Sequence, residues 1–102
     1  MTPLEVVATD DARRYRLVGE LDLDSVDELS EGLQSQVAAG GELRLDLSEL
    51  TFIDSSGIRA LFQLNEQLKD GTLILQRPSP FARRVMGVLG VGESPDGPRI
   101  GD

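Results

Sequence analysis

The chain has 102 residues, 18 acidic against 10 basic side chains, a formal net charge of −8, and neither cysteine nor histidine. Its length and 39% hydrophobic content suit one domain with one modest core. The missing residue types exclude disulfides, thiolate metal sites, a Ser-His-Asp triad and nearly every transition-metal centre. The acidic surface works against binding of nucleic-acid phosphates.

Met1–Glu5 shows no basic region followed by an apolar core, and no apolar run approaches the roughly 20 residues of a spanning helix. The expectation is a soluble, cytoplasmic protein without membrane contact. Leu4–Ala8 reads as a first strand and Asp10-Asp11 as a turn. Tyr15, Leu17 and Gly19 alternate with Arg14, Arg16 and Val18, the period-two pattern of a second strand with one wet face. A hairpin follows from the short connection.

Ser25 and Glu28 have capping-box spacing at the start of a helical pattern. Val26, Leu29, Leu33 and Val37 then share one face, and Gly40-Gly41 ends the helix. Leu43, Leu45 and Leu47 alternate as a third strand, with Thr51-Phe52-Ile53 after it. Asp54-Ser55-Ser56-Gly57 leads into a second helix carrying Ile58, Leu61, Phe62, Leu64 and Leu68. Thr72–Gln76 reads as a fourth strand. Ser79-Pro80 opens a third helix with Phe81, Val85, Val88 and Leu89 as its apolar stripe. Gly92–Asp102 carries Gly, Pro and acids with one Ile and reads as a frayed tail.

The expected order is β-β-α-β-α-β-α, an α/β fold with a small mixed sheet, right-handed crossovers and helices mainly on one face. Residues 1–91 form the domain and 92–102 a flexible tail.

Asp54-Ser55-Ser56-Gly57 sits where a strand-side loop enters a helix. Serine and aspartate suit that place simply as caps for free N–H groups. A phosphate on a first-turn serine is also tolerated there, because it meets those same amides and the positive end of the helix dipole. Gly57 leaves the hydroxyl unshielded. Gly19–Asp24 is a second acidic loop. If the second and third strands are adjacent and parallel, Asp22 and Ser56 lie at the same sheet edge. Asp22 and Asp24 supply too few oxygens for a hard cation, so no metal is expected. Ser56 as a hydrolytic nucleophile lacks a partner base, and IDSSGIR is not G-x-S-x-G. No catalytic residue and no cofactor is assigned.

Leu45-Asp46-Leu47-Ser48 through Phe52-Ile53-Asp54-Ser55-Ser56-Gly57-Ile58-Arg59-Ala60-Leu61 closely resembles the signature of bacterial anti-sigma-factor antagonists, members of the STAS family (sulfate transporter and anti-sigma antagonist). Gly19-Glu20-Leu21-Asp22 looks like that family's second motif. Gly71–Leu75 and Ser79-Pro80 to Arg84-Val85 resemble its later part. The resemblance implies a protein that, unphosphorylated, captures an anti-sigma factor that is also a GHKL-type serine kinase using Mg-ATP. Phosphorylation of the serine matching Ser56 switches it off, and a serine phosphatase resets it. Asp22, Asp54, Ser55, Ser56, Gly57 and Arg59 become the partner-binding residues, on a monomer or weak dimer. Arg59 stands where some members have glycine, and Gly92–Asp102 has no counterpart in the family pattern. The competing reading is a STAS subunit of a scaffold or transport complex, since such modules share the fold.

Overall fold

Five apolar residues of one strand pose the problem this fold solves. Leu43, Leu45 and Leu47 are two apart, but Leu50 and Ile53 follow at steps of three. A regular pleat would turn Leu50 to the opposite face from Leu47. In the computed structural model, which describes residues 3–93 and 96–101, all of them belong to one continuous strand, β3 (Leu43–Ile53). Its register against β2 (Arg14–Leu21) shifts twice, between Arg16 and Val18 and between Gly19 and Glu20. Each shift absorbs one extra residue of β3. All five side chains are therefore at most 1% exposed.

The sheet has five strands in the order β1-β2-β3-β4-β5, with β1 (Glu5–Ala8) antiparallel to β2. β4 (Leu73–Gln76) and β5 (Arg99–Ile100) continue it in parallel. Helices α1 (Val26–Gly32), α2 (Gln34–Ala39) and α3 (Ser55–Gln67) connect the strands, and α4 (Pro80–Val88) follows β4. Leu17, Leu21, Leu29, Leu61, Leu64, Leu73, Leu75 and Met86 join the β3 residues in one core.

The α/β class and the mixed sheet agree with the sequence reading, and the details correct it in four places. The helix expected from Val26 to Val37 is two helices, joined at the buried Leu33. Gly32 lies against β1 so closely that a Cβ there would come within 2.9 Å of Val6 Cγ2. The chain breaks at this weak helix former. The Ser25–Glu28 capping box does not form, because Ser25 makes no side-chain cap bond. Its Oγ donates to Glu20 O (2.8 Å) and accepts from the Asp22 N–H (2.9 Å), stapling the acidic loop. The pieces Leu43–Leu47 and Thr51–Ile53 are one strand. Finally, Arg99–Ile100 of the expected tail pair with β4, and the Gly101 N–H donates to Leu75 O. Ser94, Pro95 and Asp102 of that tail lie outside the described residues.

β4 pairs only with Leu43–Asp46 of β3. Beyond that point α4 packs against β3. Its N-cap Ser79 donates N–H to Leu47 O and Oγ–H to Leu50 O. The edge that β4 leaves unpaired is thus partly satisfied by the start of a helix. Arg13 performs a similar task elsewhere. Its guanidinium donates to the carbonyls of Gln36, Gly40 and Glu42, at the C-terminal end of α2, where cations and donors are favoured.

On the sheet face away from the core, Asp46 is 1% exposed, and Arg14, Arg16 and Arg77 lie 3.5, 3.9 and 3.8 Å from its Oδ2. Burial alone would raise its carboxyl. Hydrogen bonding from Ser48 and the guanidiniums of Arg77 and Arg14 overcome that and hold it below the usual carboxylate range. Because the folded value is the lower one, this stabilisation is present above the unfolded-chain value of about 3.9 and is lost as pH falls through the folded value. Asp46→Asn should cost about 1–2 kcal/mol at neutral pH, since charged hydrogen bonds are lost among partly exposed arginines. It should also flatten the acid limb of stability; urea midpoints measured from pH 7 downwards test both. Arg13→Ala should cost a similar ~1–2 kcal/mol by leaving three carbonyls without this donor.

Candidate functional site

The paired ends of β2 and β3 build the site. Leu21 and Ile53 are register partners, and the Asp54 N–H continues the ladder to Leu21 O. The loops that leave these two strands therefore emerge at one sheet edge. Asp54 keeps an extended backbone and caps α3, its Oδ1 accepting the Gly57 N–H at 3.0 Å. Ser55 is exposed and Ser56 half-buried in the first turn, where backbone amides point out of the helix end.

Gly57 is buried, and its role differs from simple access to the hydroxyl. A Cβ there would stand 2.5 Å from Leu21 O and 2.9 Å from Ile53 Cγ1 and Leu21 Cγ. Only glycine lets the first turn of α3 rest on the end of β2. That contact fixes the direction in which Ser55 and Ser56 face.

On the first loop, Asp22 Oδ1 accepts from the Asp24 N–H at 3.1 Å and lies 3.2 Å from the Ser25 Oγ. Asp22 is thus a turn-forming acid at the root of its loop, as Asp54 is at the root of α3. Neither of them, nor Arg59, joins an ion pair among the described residues. Between the loop and α3 runs a shallow cleft of about 130 Å³ lined by Leu23, Val26, Ser56, Arg59, Ala60 and Gln63. The structure thus brings Ser56 and Arg59 together, sets Ser55 beside them, and buries Gly57 beneath.

Leu23, Val26 and Gln63 escaped the sequence reading. Leu23 carried a signal: an apolar residue between Asp22 and Asp24, which stands 71% exposed. A larger cleft, about 340 Å³, lies between α1–α2 and α3 and has Glu31 as its one ionisable lining group. Among the described residues no cluster of three or more His, Cys, Asp or Glu could hold a metal ion, and no helix is long and apolar enough to cross a membrane.

A serine on the first turn of a capped helix, beside an acidic loop at the C-terminal edge of parallel strands, defines a small α/β module of SpoIIAA-like fold. The family model described as "Mlab, STAS domain" matches residues 4–97, and the chain belongs to the STAS domain family. Solved structures agree on the fold. The anti-sigma factor antagonist SpoIIAA in its unphosphorylated form is 23% identical over 97% of this chain and 87% of its own, with a TM-score of 0.65. The phosphorylated form of SpoIIAA, a Bacillus cell-fate determinant, gives 22% identity over 97% and 91%, with a TM-score of 0.63. A proposed anti-sigma factor antagonist from Thermotoga maritima gives 18% identity over 99% and 86%, with a TM-score of 0.71. No curated protein matches the chain.

Gly57→Ala should destabilise by about 2–3 kcal/mol, because the added methyl meets a backbone carbonyl that cannot rotate away. Gly87→Ala in α4, where a Cβ meets nothing within 4 Å, should be neutral or stabilise by up to about 1 kcal/mol. Paired denaturation curves of the two variants check the contrast.

Proposed function

We propose that this chain is a non-enzymatic, phosphorylation-switched binding protein of the anti-sigma-factor-antagonist kind, acting in the cytoplasm. Unmodified, it captures an anti-sigma factor that is itself a GHKL-type, Mg-ATP-using serine kinase. Phosphorylation of Ser56 releases that partner, and a serine phosphatase restores the free hydroxyl. The observation that carries the reading is the half-buried Ser56 on the first turn of α3, in a cleft beside the exposed Leu23.

The physical chemistry supports a local switch. Phosphate adds about −1.5 to −2 charges and three acceptor oxygens at pH 7. Within the free protein that charge meets the amides at the N-terminus of α3, worth about 0.3–1 kcal/mol. Arg59, one turn further on and lining the same cleft, adds a nearby cation. In a complex, the same charge enters a surface that already carries Asp22 and Asp54. Burying it without matched cations costs several kcal/mol, and each 1.4 kcal/mol weakens affinity tenfold.

The expected outcomes are specific. Incubation with the cognate kinase and ATP should place phosphate on Ser56 and on neither Ser55 nor Ser48, as read by mass spectrometry; undiminished phosphorylation of Ser56→Ala would refute the assignment. By calorimetry, Ser56→Ala should bind the kinase as the unmodified protein does. The phosphoprotein and Ser56→Asp should bind roughly 10²-fold more weakly, with backbone amide NMR shifts confined to the start of α3. Equal affinities of all forms would rule out the switch. The second reading, a STAS subunit of a scaffold or transport assembly, rests on such modules sharing the fold. Constitutive assembly with a transport complex, indifferent to Ser56, would favour it.

A further inference from the structure

On the elements that frame the Ser56 cleft, acids far outnumber bases. The end of β2, its loop and α1 carry Glu20, Asp22, Asp24, Asp27, Glu28 and Glu31, and no base. From the α3 cap to the end of that helix the charged residues are Asp54, Arg59 and Glu66. Arg59 is thus the sole basic side chain on these elements.

Its position aims it at Ser56. The two residues are three apart on α3 and line the same cleft of about 130 Å³. Side chains at that spacing are neighbours, with Cβ atoms about 5–6 Å apart. Helical side chains also lean toward the N-terminus, so a long side chain at 59 leans over the turn that carries Ser56. Leu23, Val26 and Ala60 line the cleft with hydrocarbon, which strengthens the attraction between charges held there. Arg59 is exposed and joins no ion pair among the described residues. A guanidinium so placed can donate to two phosphate oxygens at once.

The end of the helix does not suffice for such a charge. Asp54 Oδ1 already takes the Gly57 N–H at 3.0 Å, and the Asp54 carbonyl takes the Ile58 N–H. The same cap sets a carboxylate at the positive end of α3, where it offsets the dipole. A phosphate on Ser56 would find only part of the first-turn amides, and Arg59.

We propose that Arg59 is the built-in counter-ion of a phosphate on Ser56. Its guanidinium is open to a partner before the modification and closes on the phosphate oxygens after it. The inference rests on the phosphorylation of Ser56 proposed above and deepens it. One modification adds negative charge to the cleft and withdraws the cleft's own cation.

Phosphoserine inserted at position 56 of the full chain during translation makes the test independent of any kinase. The readout is the second ionisation of that phosphate, ordinarily near pH ~6, followed by phosphorus NMR. The surrounding acids, Asp22, Asp24 and Asp54 foremost, push it up and Arg59 pulls it down, so the comparison between variants decides. Arg59→Gln should lower the ionisation constant at least about twofold, and Arg59→Lys should restore part of the loss. Lys69→Gln removes the same charge about 20 Å away at helical rise and should change nothing. The Arg59 Nε–H signal should shift with the midpoint of the phosphate. Glutamine is a good helix former at this exposed position, and circular dichroism checks that the variant folds. An ionisation constant equal in wild type and folded Arg59→Gln, one moved as far by Lys69→Gln, or an Arg59 signal indifferent to the phosphate would each overturn the proposal. The kinase assay decides the switch and these titrations decide Arg59, so the two readings fail separately.

Discussion

The pairing of β2 with β3 is the constraint on which the rest of the molecule depends. β3 spends six residue steps, Asp46 to Phe52, opposite four residue steps of β2. Without that surplus, the leucines of β3 would divide between the two faces and the core would lose half of its central strand. With it, the strands finish level at Leu21 and Ile53. A level finish sets both following loops at one edge and lays α3 across the end of β2. Gly57 is the point of contact, and no other residue fits there without moving the Leu21 carbonyl.

The same pairing separates the charges. The core-facing side of β2 and β3 takes every leucine, so the polar positions fall together on the other side, where Arg14, Arg16 and Arg77 surround Asp46. A carboxylate so enclosed would be costly alone; three guanidiniums and the Ser48 N–H make it stable as an anion. Five acids that join no ion pair among the described residues, Asp22, Asp24, Asp27, Glu28 and Glu31, lie together in the Asp22–Glu31 segment.

Legibility in the sequence followed how local each cause was. The Asp54 cap, the Ser79-Pro80 helix start and the end of α2 at Gly40 are decided within a few residues, and each stands where the pattern indicated. The site loops were readable from one further step, that β2 and β3 pair in parallel, which they do. The misreadings share a different origin. β3 looked like two pieces because its bulges break the period of two. The division of α1 from α2 depends on Val6 of a distant strand. Ser25 had two possible partners within hydrogen-bond reach in sequence, and the loop won over the helix amides. Arg13 caps a helix 23 to 29 residues away, and the two-residue β5 is too short to show any period. Leu23 was visible as an apolar residue out of place, but its value lies in the cleft it forms with α3.

These features bear on why a charge added at Ser56 would act on partners rather than on the fold. The helix that carries Ser56 is held from beneath by Gly57 on Leu21 and at its end by the Asp54 cap. Its apolar face, with Ile58, Leu61 and Leu64, is buried in the core. Shifting that helix would expose several large side chains, each worth about 1.5–3 kcal/mol. The electrostatic repulsion between a solvated phosphate and exposed loop acids is far smaller, about 1 kcal/mol per pair at close range in water. Packing therefore wins, and the backbone has no reason to move. The balance reverses when a partner covers the cleft. Water leaves, the effective dielectric falls, and the same repulsions grow several-fold with no apolar gain to offset them. A rigid first turn is thus what allows a small chemical change to be read as a large difference in affinity.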